Sequence, residues 1–374
     1  MAGIYIHVPY CKQACHYCNF YFSTSLRSKN DFISALLKEI SLQATYLSGE
    51  KIDTIYFGGG TPSLLSGQEV QQVLDHLRTT FPVSATAEVT LEANPDDLVP
   101  AKLEELKLAG INRLSIGIQS FFEEDLLWMN RAHTASQSVA CIENAQKAGF
   151  YNLTIDLIYG TPGLSDANWE ANVRHAIAMN IPHLSCYALT VEPRTALDHF
   201  VKAKSVRDVD PEQQARQFLL LMDWMADAGY EHYEISNFAK PGWRSKHNSS
   251  YWQGKKYLGL GPSAHSFNGE SRQWNASNNT MYIQMLEKGH LPYEKEVLSP
   301  VNRLNEYIMT SLRTMEGLDI DHVTSFFSTE AAEKILQLSQ TFINAANMKR
   351  EGNRLQLTRK GKLLADGIAA ELFF

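Results

Sequence analysis

Ile4-Tyr-Ile-His-Val-Pro-Tyr-Cys-Lys-Gln-Ala-Cys-His-Tyr-Cys-Asn-Phe20 carries three thiols, Cys11, Cys15 and Cys18, at C-x3-C-x2-C spacing. That spacing puts them on one short loop, close enough to serve a single metal centre. A structural zinc ion wants a closed tetrahedron, so three cysteines leave one ligand to find, with His16 or His7 as local candidates. A cubane iron–sulfur cluster takes one thiolate per iron, so three cysteines leave one iron open to an exchangeable small molecule. A disulfide with a spare thiol is the poorest fit, because nothing in the chain suggests an oxidising compartment.

The composition around this loop is that of an ordinary globular protein. Hydrophobic residues make up 44% and charged residues 20% of 374 positions, enough for a large barrel and a smaller unit. A net charge of -7 argues against a general nucleic-acid binder or a polybasic membrane anchor. The remaining two of five cysteines, Cys141 and Cys186, stand alone in apolar segments and read as buried core thiols. Met1-Ala-Gly-Ile-Tyr5 has no basic region followed by an apolar one, so no secretory signal is read. No apolar run is long enough to span a bilayer. A cytoplasmic protein is the expectation.

Beyond the loop, strand and helix alternate. Strands are expected at Gly3–His7, Thr54–Phe57, Ala87–Glu92, Arg113–Gly117, Leu153–Ile158 and His183–Tyr187, with His232–Ile235 after them. Helical periodicity appears at Asp31–Tyr46, Gln68–Leu77, Ala101–Ala109, Ser136–Ala148, Ala167–Met179 and Pro211–Ala228. Gly110, Gly149 and Gly229 each follow a helix, where glycine supplies the left-handed cap. The rhythm predicts parallel strands with helical crossovers, as a barrel or an open sheet. No G-x-G-x-x-G opens a helix after the first strand, which weakens the dinucleotide-binding sheet.

In a barrel, chemistry gathers at the C-terminal strand ends. Those ends here collect the cysteines, Gly58-Gly-Gly-Thr-Pro62, Glu92 with Asn94-Pro95, Gly117-Ile-Gln-Ser120 with Arg131, and Asp156 with Tyr159-Gly-Thr-Pro162. Singly each is weak: the glycines can make a tight turn, and Glu92 or Asp156 can cap a helix. Together they form a polar ring facing the thiols.

With Tyr17 before the third cysteine, the loop resembles the signature of the radical S-adenosylmethionine (SAM) superfamily. The resemblance implies a [4Fe-4S] cluster on Cys11, Cys15 and Cys18 whose open iron chelates the amino and carboxylate groups of SAM. It also implies an α/β fold, a partial (β/α)6 TIM-type barrel. Tyr5–Phe20, Gly58–Pro62, Glu92–Pro95, Gln119, Arg131 and Asp156–Pro162 are similar to the coproporphyrinogen dehydrogenase (HemN) branch of that superfamily. Carried over, the SAM contacts are Tyr5, Gly59, Gly60, Thr61, Glu92, Gln119, Arg131 and Asp156, with Tyr187 or Ala188 beside the adenine.

Two features depart from the dehydrogenase. It has a further cysteine two residues after the third, where this chain has Phe20, and an N-terminal extension before the cluster, where the first cysteine here is Cys11. A third feature is positive. His247-Asn-Ser-Ser-Tyr-Trp252, followed by Tyr257-Leu-Gly-Leu-Gly-Pro-Ser-Ala-His-Ser266, resembles the H-N-x-x-Y-W signature of the HemW family of haem chaperones. The resemblance implies haem binding at His247 and transfer of haem to acceptor proteins. A neutral imidazole can ligate iron, Tyr251, Trp252 and Tyr257 offer flat apolar faces, and the Gly259–Pro262 backbone can close over a porphyrin. The plainer reading makes His247 and His265 hydrogen-bonded loop residues beside an aromatic group, with His265 packed in the substrate cavity.

Three units are expected: residues 1–240 as the barrel with cluster and SAM, 241–298 as the haem segment and linker, and 299–374 as a small, mostly helical, winged-helix-like domain. The last has helices at Thr280–Gly289 (leading into it), Val301–Thr314 and Ala331–Asn347, then a strand from Leu355 and a helix capped near Thr358. Arg359, Lys360 and Lys362 read as a solvated helix start, and the domain as a lid or docking surface with no nucleic-acid role. Expected partners are haem, haem-accepting proteins such as respiratory-chain enzymes, a haem donor such as bacterioferritin, membrane proteins met peripherally, and a second copy of the chain. The enzymatic alternative is an oxygen-independent coproporphyrinogen III dehydrogenase or another radical SAM enzyme acting on a tetrapyrrole. Reductive cleavage of SAM lies within such machinery, and the sequence does not decide whether it occurs. A zinc-stabilised barrel is the remaining competitor.

Overall fold

The computed structural model describes residues 2–374. Six strands, β1 (Ala2–Val8), β2 (Ile52–Gly59), β3 (Val83–Ala93), β4 (Arg113–Gln119), β5 (Leu153–Tyr159) and β6 (His183–Ala188), lie side by side in chain order. Each pairs in parallel with the next. One face of these strands is apolar, as strands covered by helices require: Ile4, Ile6 and Val8 of β1 are fully buried, as are Leu114, Ile116 and Ile118 of β4, while the alternate positions Tyr5, His7, Ser115 and Gly117 take the other face. Helices connect them at Lys29–Leu42, Gly67–Thr80, Pro100–Ala109, Ala135–Lys147 and Asp166–Ala178. Gly110, Gly149 and Gly229 all take positive φ where the helices end, as the sequence indicates.

Further strands extend the sheet at both edges. β7 (Glu231–Glu234) and β8 (Asn237–Ala239) run antiparallel beyond β6. At the other edge β9 (Tyr257–Leu260) pairs in parallel with β1, followed by antiparallel β10 (His265–Phe267), β11 (Ser271–Asn275) and β12 (Tyr293–Val297). The twelve-stranded sheet ends in β12 and β7, which do not pair with each other, so the barrel is partial. The stretch 241–298 thus continues the sheet, and its Leu258, Leu260, Tyr282 and Leu286 lie in the same core as β1–β6. Gly259–Pro262, expected as a backbone able to close over a ligand, is buried strand and turn. A Cβ at Gly259 would stand 2.0 Å from the His265 carbonyl oxygen, so glycine is needed there for β9 and β10 to approach.

The C-terminal unit is mostly helical, with helices Pro300–Leu312, Ile320–Phe326, Thr329–Asn344, Arg359–Lys362 and Ala365–Glu371. A small antiparallel sheet, β13 (Leu318–Asp319), β14 (Met348–Glu351) and β15 (Arg354–Leu357), completes it. It has its own core around Leu304, Ile308, Ile335, Leu355 and Leu372. The Thr358 hydroxyl caps the following helix through Gly361 N at 3.1 Å, as the sequence suggests. The basic start of that helix is exposed at Arg359 and Lys360, as expected, but Lys362 is partly buried and Arg359 is also paired. Arg359 forks onto Asp223 and donates to the Leu219 carbonyl at 2.7 Å, both on the helix Pro211–Asp227. Lys362 is half-buried with Nζ 2.9 Å from His232 Nδ1. These cations fasten the unit to the barrel. Backbone bonds do the same: Ile235 N donates to Arg313 O and Met315 N to Tyr233 O.

One buried carboxylate binds the sheet extension to the barrel. Glu39 is fully buried and accepts from Gly261 N at 2.8 Å, Asn275 Nδ2 at 2.6 Å and Tyr282 Oη at 2.5 Å. Burial pushes its pKa up to about 7, against those three donors. The folded state therefore holds this proton at pH values where the unfolded chain has lost it, and stability falls as pH rises from the ordinary glutamate value to about 7. Glu39→Gln should flatten that fall, and Glu39→Ala, which strands three donors, should cost about 3 kcal/mol or more. Urea denaturation at pH 5 and pH 7.5 checks both; a pH-independent wild type would refute the assignment.

Candidate metal and cofactor site

β1 delivers the chain directly into the cysteine loop, and the cysteines open into a cavity of about 490 Å³. Cys11, Cys15, Cys18 and Tyr17 line one side of it. Gly59, Gly60, Thr61, Glu92, Gln119, Arg131, Asp156 and Ala188, with Tyr187, line the rest, so the strand-end residues are brought together as the sequence indicates. Tyr5 is the exception. It opens on a neighbouring cavity, yet stays close to Glu92, with which it shares a sheet face: a Cβ at Gly58 would lie 2.9 Å from the Tyr5 ring and 3.1 Å from Glu92 Oε1.

The three thiols form an electrostatic unit. Burial pushes Cys11 up to about 11, with a hydrogen bond to Thr61 pulling the other way and Cys18 and Cys15 adding to the rise. Cys18 is raised for the same leading reason. Arg131 is the counter-charge: Nη1 donates to Cys15 Sγ at 3.3 Å and to Tyr17 Oη at 3.4 Å. Its Nη2 donates to Asn94 Oδ1 at 2.9 Å and to Gly117 O at 2.8 Å, which fixes the guanidinium beside the loop. Burial works against its charge, yet Tyr17 and Cys15 more than offset that, and it stays protonated. Among the described residues no three His, Cys, Asp or Glu side chains converge on one metal ion. Three thiols with no fourth protein ligand among the described residues suit a polynuclear cluster, one thiolate per iron, better than the closed tetrahedron of a structural zinc site.

Opposite the thiols stand two recessed carboxylates. Glu92 accepts from Tyr56 Oη at 2.8 Å and from Gly59 N at 3.1 Å. Burial raises its pKa to about 7, and repulsion from Asp156 adds to it. Asp156 is raised to about 6 by burial, moderated by Ser185 and by Arg113 and Arg131. Such a pair is costly without a cation, and SAM carries both an ammonium and a sulfonium; the residues fit it. Gly59 takes φ +105, and a Cβ there would lie 2.5 Å from the His7 ring; at Gly60 it would lie 2.5 Å from the Tyr10 carbonyl oxygen. The glycines make room for this chain's own groups as well as for a ligand. β4 loses its register between Ile116 and Gln119, and Gln119 ends the strand with φ 67, an irregularity that aims it into the cavity. Asn94 and Ser115, which the sequence did not single out as contacts, also line this cavity. Asn94 lay inside the quoted Glu92–Pro95 motif; Ser115, mid-strand, gave no signal.

The second cavity, about 930 Å³, lies between the sheet extension and the C-terminal unit. Tyr5, Tyr251, Trp252, Tyr257 and His265 line it from one side, and Arg303, Tyr307, His322 and Phe326 from the other. His247 is not on its surface. That imidazole is buried at the start of the helix Lys246–Trp252, with Nδ1 2.8 Å from Thr54 Oγ1 and Nε2 2.8 Å from Tyr251 Oη. It stacks on Tyr56 with ring centroids 5.0 Å apart, and burial lowers its pKa to about 3. Asn19 and Phe20 line both cavities.

This fold and loop define a radical SAM protein. The Radical SAM superfamily model matches residues 5–176, and the HemN C-terminal domain model matches residues 298–364. The coproporphyrinogen III oxidase HemN from Escherichia coli superposes with a TM-score of 0.86 at 22% identity, covering 100% of this chain and 90% of that one, a likeness of fold. The chain is 34% identical over 375 residues to "Heme chaperone HemW" of Mycobacterium tuberculosis, covering 99% of this chain and 94% of the relative. It is 32% identical to the protein of that name from Bacillus subtilis, with 98% of each chain covered. The Escherichia coli protein of that name is 38% identical across 70% of this chain and 69% of its own. The chain belongs to the HemW family.

Two outcomes follow from the site. Replacing Cys11, Cys15 or Cys18 singly by Ala should abolish stable cluster reconstitution, read as iron and sulfide content, while Cys141→Ala should not. A cation entering between Glu92 and Asp156 needs them ionised, so SAM affinity should rise with pH. With a carboxylate near 7, the gain from pH 6 to pH 8 is about tenfold. Equilibrium dialysis with Glu92→Gln should lose most of that slope; an unchanged slope would place the titrating group elsewhere.

Proposed function

We propose that this chain is a haem chaperone: it holds a [4Fe-4S] cluster on Cys11, Cys15 and Cys18, SAM in the smaller cavity and haem in the larger, and passes haem to an acceptor protein. The observation that carries this reading is the pairing of a cysteine-lined cavity with a separate, larger one of about 930 Å³ that shares a wall with it. Volumes of that order suit a bulky ligand. The larger cavity also has the amphipathy of a porphyrin. Tyrosine rings line its depth, and Lys255 and Arg303, exposed cations with no acidic partner among the described residues, stand on its lining to meet the propionates.

When bound, the cluster supplies an electron and an open coordination position. The chain's own residues have distinct tasks. Arg131 offsets the charge that accumulates on the thiolates. Glu92 and Asp156 receive the cationic end of SAM, and Gly59, Gly60 and Thr61 form the floor beside it. Gln119 and Ala188, with Tyr187, border the remaining space for the nucleoside. Tyr5 shares a sheet face with Tyr56 and Glu92 on the SAM side and lines the larger cavity on the haem side. His247 supports that side too. It holds the Tyr251 hydroxyl, and direct ligation of iron by His247 requires the Tyr251 ring to swing away first.

Phe20 stands where the related dehydrogenase branch has a further cysteine, and is 65% exposed between the two cavities. Its ring adds apolar surface where a fourth thiol would add a metal ligand, which favours holding a porphyrin over oxidising one. No helix of the described residues is long and apolar enough to cross a membrane. Contacts with respiratory-chain acceptors, with a donor such as bacterioferritin and with a second copy belong to the same proposal.

The test is anaerobic titration of haem into cluster-loaded protein, followed by mixing with apomyoglobin as a generic acceptor. Uptake of about one haem per chain, then its loss to apomyoglobin, is the expected result. His247→Ala should loosen haem several-fold through Tyr251. Incubation with SAM and coproporphyrinogen III should yield no decarboxylated product; turnover without haem uptake would restore the enzymatic alternative.

A further inference from the structure

The larger cavity is lined by three imidazoles, and their hydrogen bonding separates them. His7 is buried and spent: Nε2 donates to the Tyr21 carbonyl at 2.9 Å, which leaves Nδ1 to accept from Tyr5 Oη at 3.1 Å. His322 is half-buried with its ring against both Tyr307 and Phe326, each centroid 4.3 Å away. His265 is exposed on β10, and neither of its ring nitrogens has a hydrogen-bond partner among the described residues. Its backbone is fixed, because β10 is held between β9 and β11 and the His265 carbonyl packs on Gly259.

The surroundings keep His265 ready for a metal. Partial burial, then the nearby Arg272 guanidinium, lower its pKa, so the ring is neutral with a lone pair free at neutral pH. Arg272 does not compete as a carboxylate receptor. Glu306 engages it at both ends, at 2.7 and 2.8 Å, and Tyr257 Oη accepts from it at 2.9 Å. That leaves Lys255 and Arg303 as the cations for the propionates, one from the barrel and one from the C-terminal unit.

We infer that His265, on β10, is the axial ligand of the haem iron, and that the porphyrin lies between the sheet extension and the C-terminal unit with its propionates on Lys255 and Arg303. The assignment rests on the haem reading above and names the ligand within that site. It makes ligation a single bond from an exposed imidazole, consistent with a cargo that must leave. Loading needs no rearrangement of the Thr54–His247–Tyr251 bonds.

The test uses the full chain with its cluster, titrated with ferric haem and followed by Soret absorbance and electron paramagnetic resonance. His265→Gly should lose the histidine-ligated spectrum and bind haem about tenfold more weakly; added imidazole should restore the wild-type spectrum. His247→Ala and His322→Ala should keep that spectrum. A joint Lys255→Ala and Arg303→Ala variant should weaken ferric haem but not its dimethyl ester. An unchanged spectrum in His265→Gly, or its loss in His247→Ala or His322→Ala alone, would overturn the assignment and leave the chaperone standing. A wild-type chain that takes up no haem would overturn both.

Discussion

β1 is paired along both edges, and the two sites exist because of it. On one side all seven residues run in parallel with β2; on the other, Gly3–Ile6 run in parallel with Tyr257–Leu260 of β9. The strand ends in the cysteine loop, so the metal-binding loop inherits its position from a fully bonded central strand. β9 brings with it β10 and β11, and hence the aromatic and histidine side chains of the larger cavity. Had β9 stayed off that edge, nothing would hold the two cavities in register. Gly3 shows how tight the junction is: a Cβ there would fall 2.8 Å from Thr54 Oγ1 and 3.3 Å from the His247 ring.

Charge is arranged around this strand with little slack. Glu39 lies beneath one end with three donors, while Arg113, only 1% exposed, lies beneath the SAM-side carboxylates. Buried ions of this kind are expensive to leave unpaired and rarely add stability of their own. Their distribution makes sense as preparation for ligands that bring charge. Glu92 and Asp156 repel each other until a cation arrives, and the three thiols share Arg131 until iron replaces their protons. A carboxylate pushed towards neutrality beside a cavity, as Glu92 and Asp156 are, marks a place for a ligand, whereas Glu39, shifted as far, is met by three donors of the chain itself.

The cysteine loop, the strand–helix rhythm and the glycine caps were legible because each depends on local sequence: spacing, periodicity, a left-handed φ. The strand-end residues were legible as a group because parallel strands deliver their C-terminal ends to one rim. Tyr5 shares its face with Glu92, but parity does not tell which cavity a side chain opens on, and Tyr5 opens on the larger one. β10, β11 and β12 are three to five residues long and flanked by turns, too short to show a pattern until β9 offers an edge. The pairing of exposed Arg359 and the partial burial of Lys362 were not legible because their partners, Asp223 and His232, are more than a hundred residues away. Arg303, Tyr307 and His322 gave no signal for the same reason: they line a cavity that forms only where two separate cores meet.

His247 acquires a role from position that its chemistry as a lone imidazole does not suggest. Glu92 in the smaller cavity accepts from Tyr56; Tyr56 stacks on His247; His247 bonds Tyr251, which lines the larger cavity. Contiguity alone does not make coupling; the path must contain an element with two states that each end can bias. Between two hydroxyl partners, Thr54 and Tyr251, the neutral His247 ring has two tautomers, and each reverses the direction in which Tyr251 donates. A cation beside Glu92 changes the charge at the head of this chain, and a porphyrin against Tyr251 changes the packing at its foot. Whatever preference SAM imposes on haem, haem must impose equally on SAM, since linkage between two bound ligands is reciprocal. On this geometry the histidine of the H-N-x-x-Y-W motif lines neither cavity and meets each through a tyrosine, Tyr56 towards Glu92 and Tyr251 towards the larger cavity.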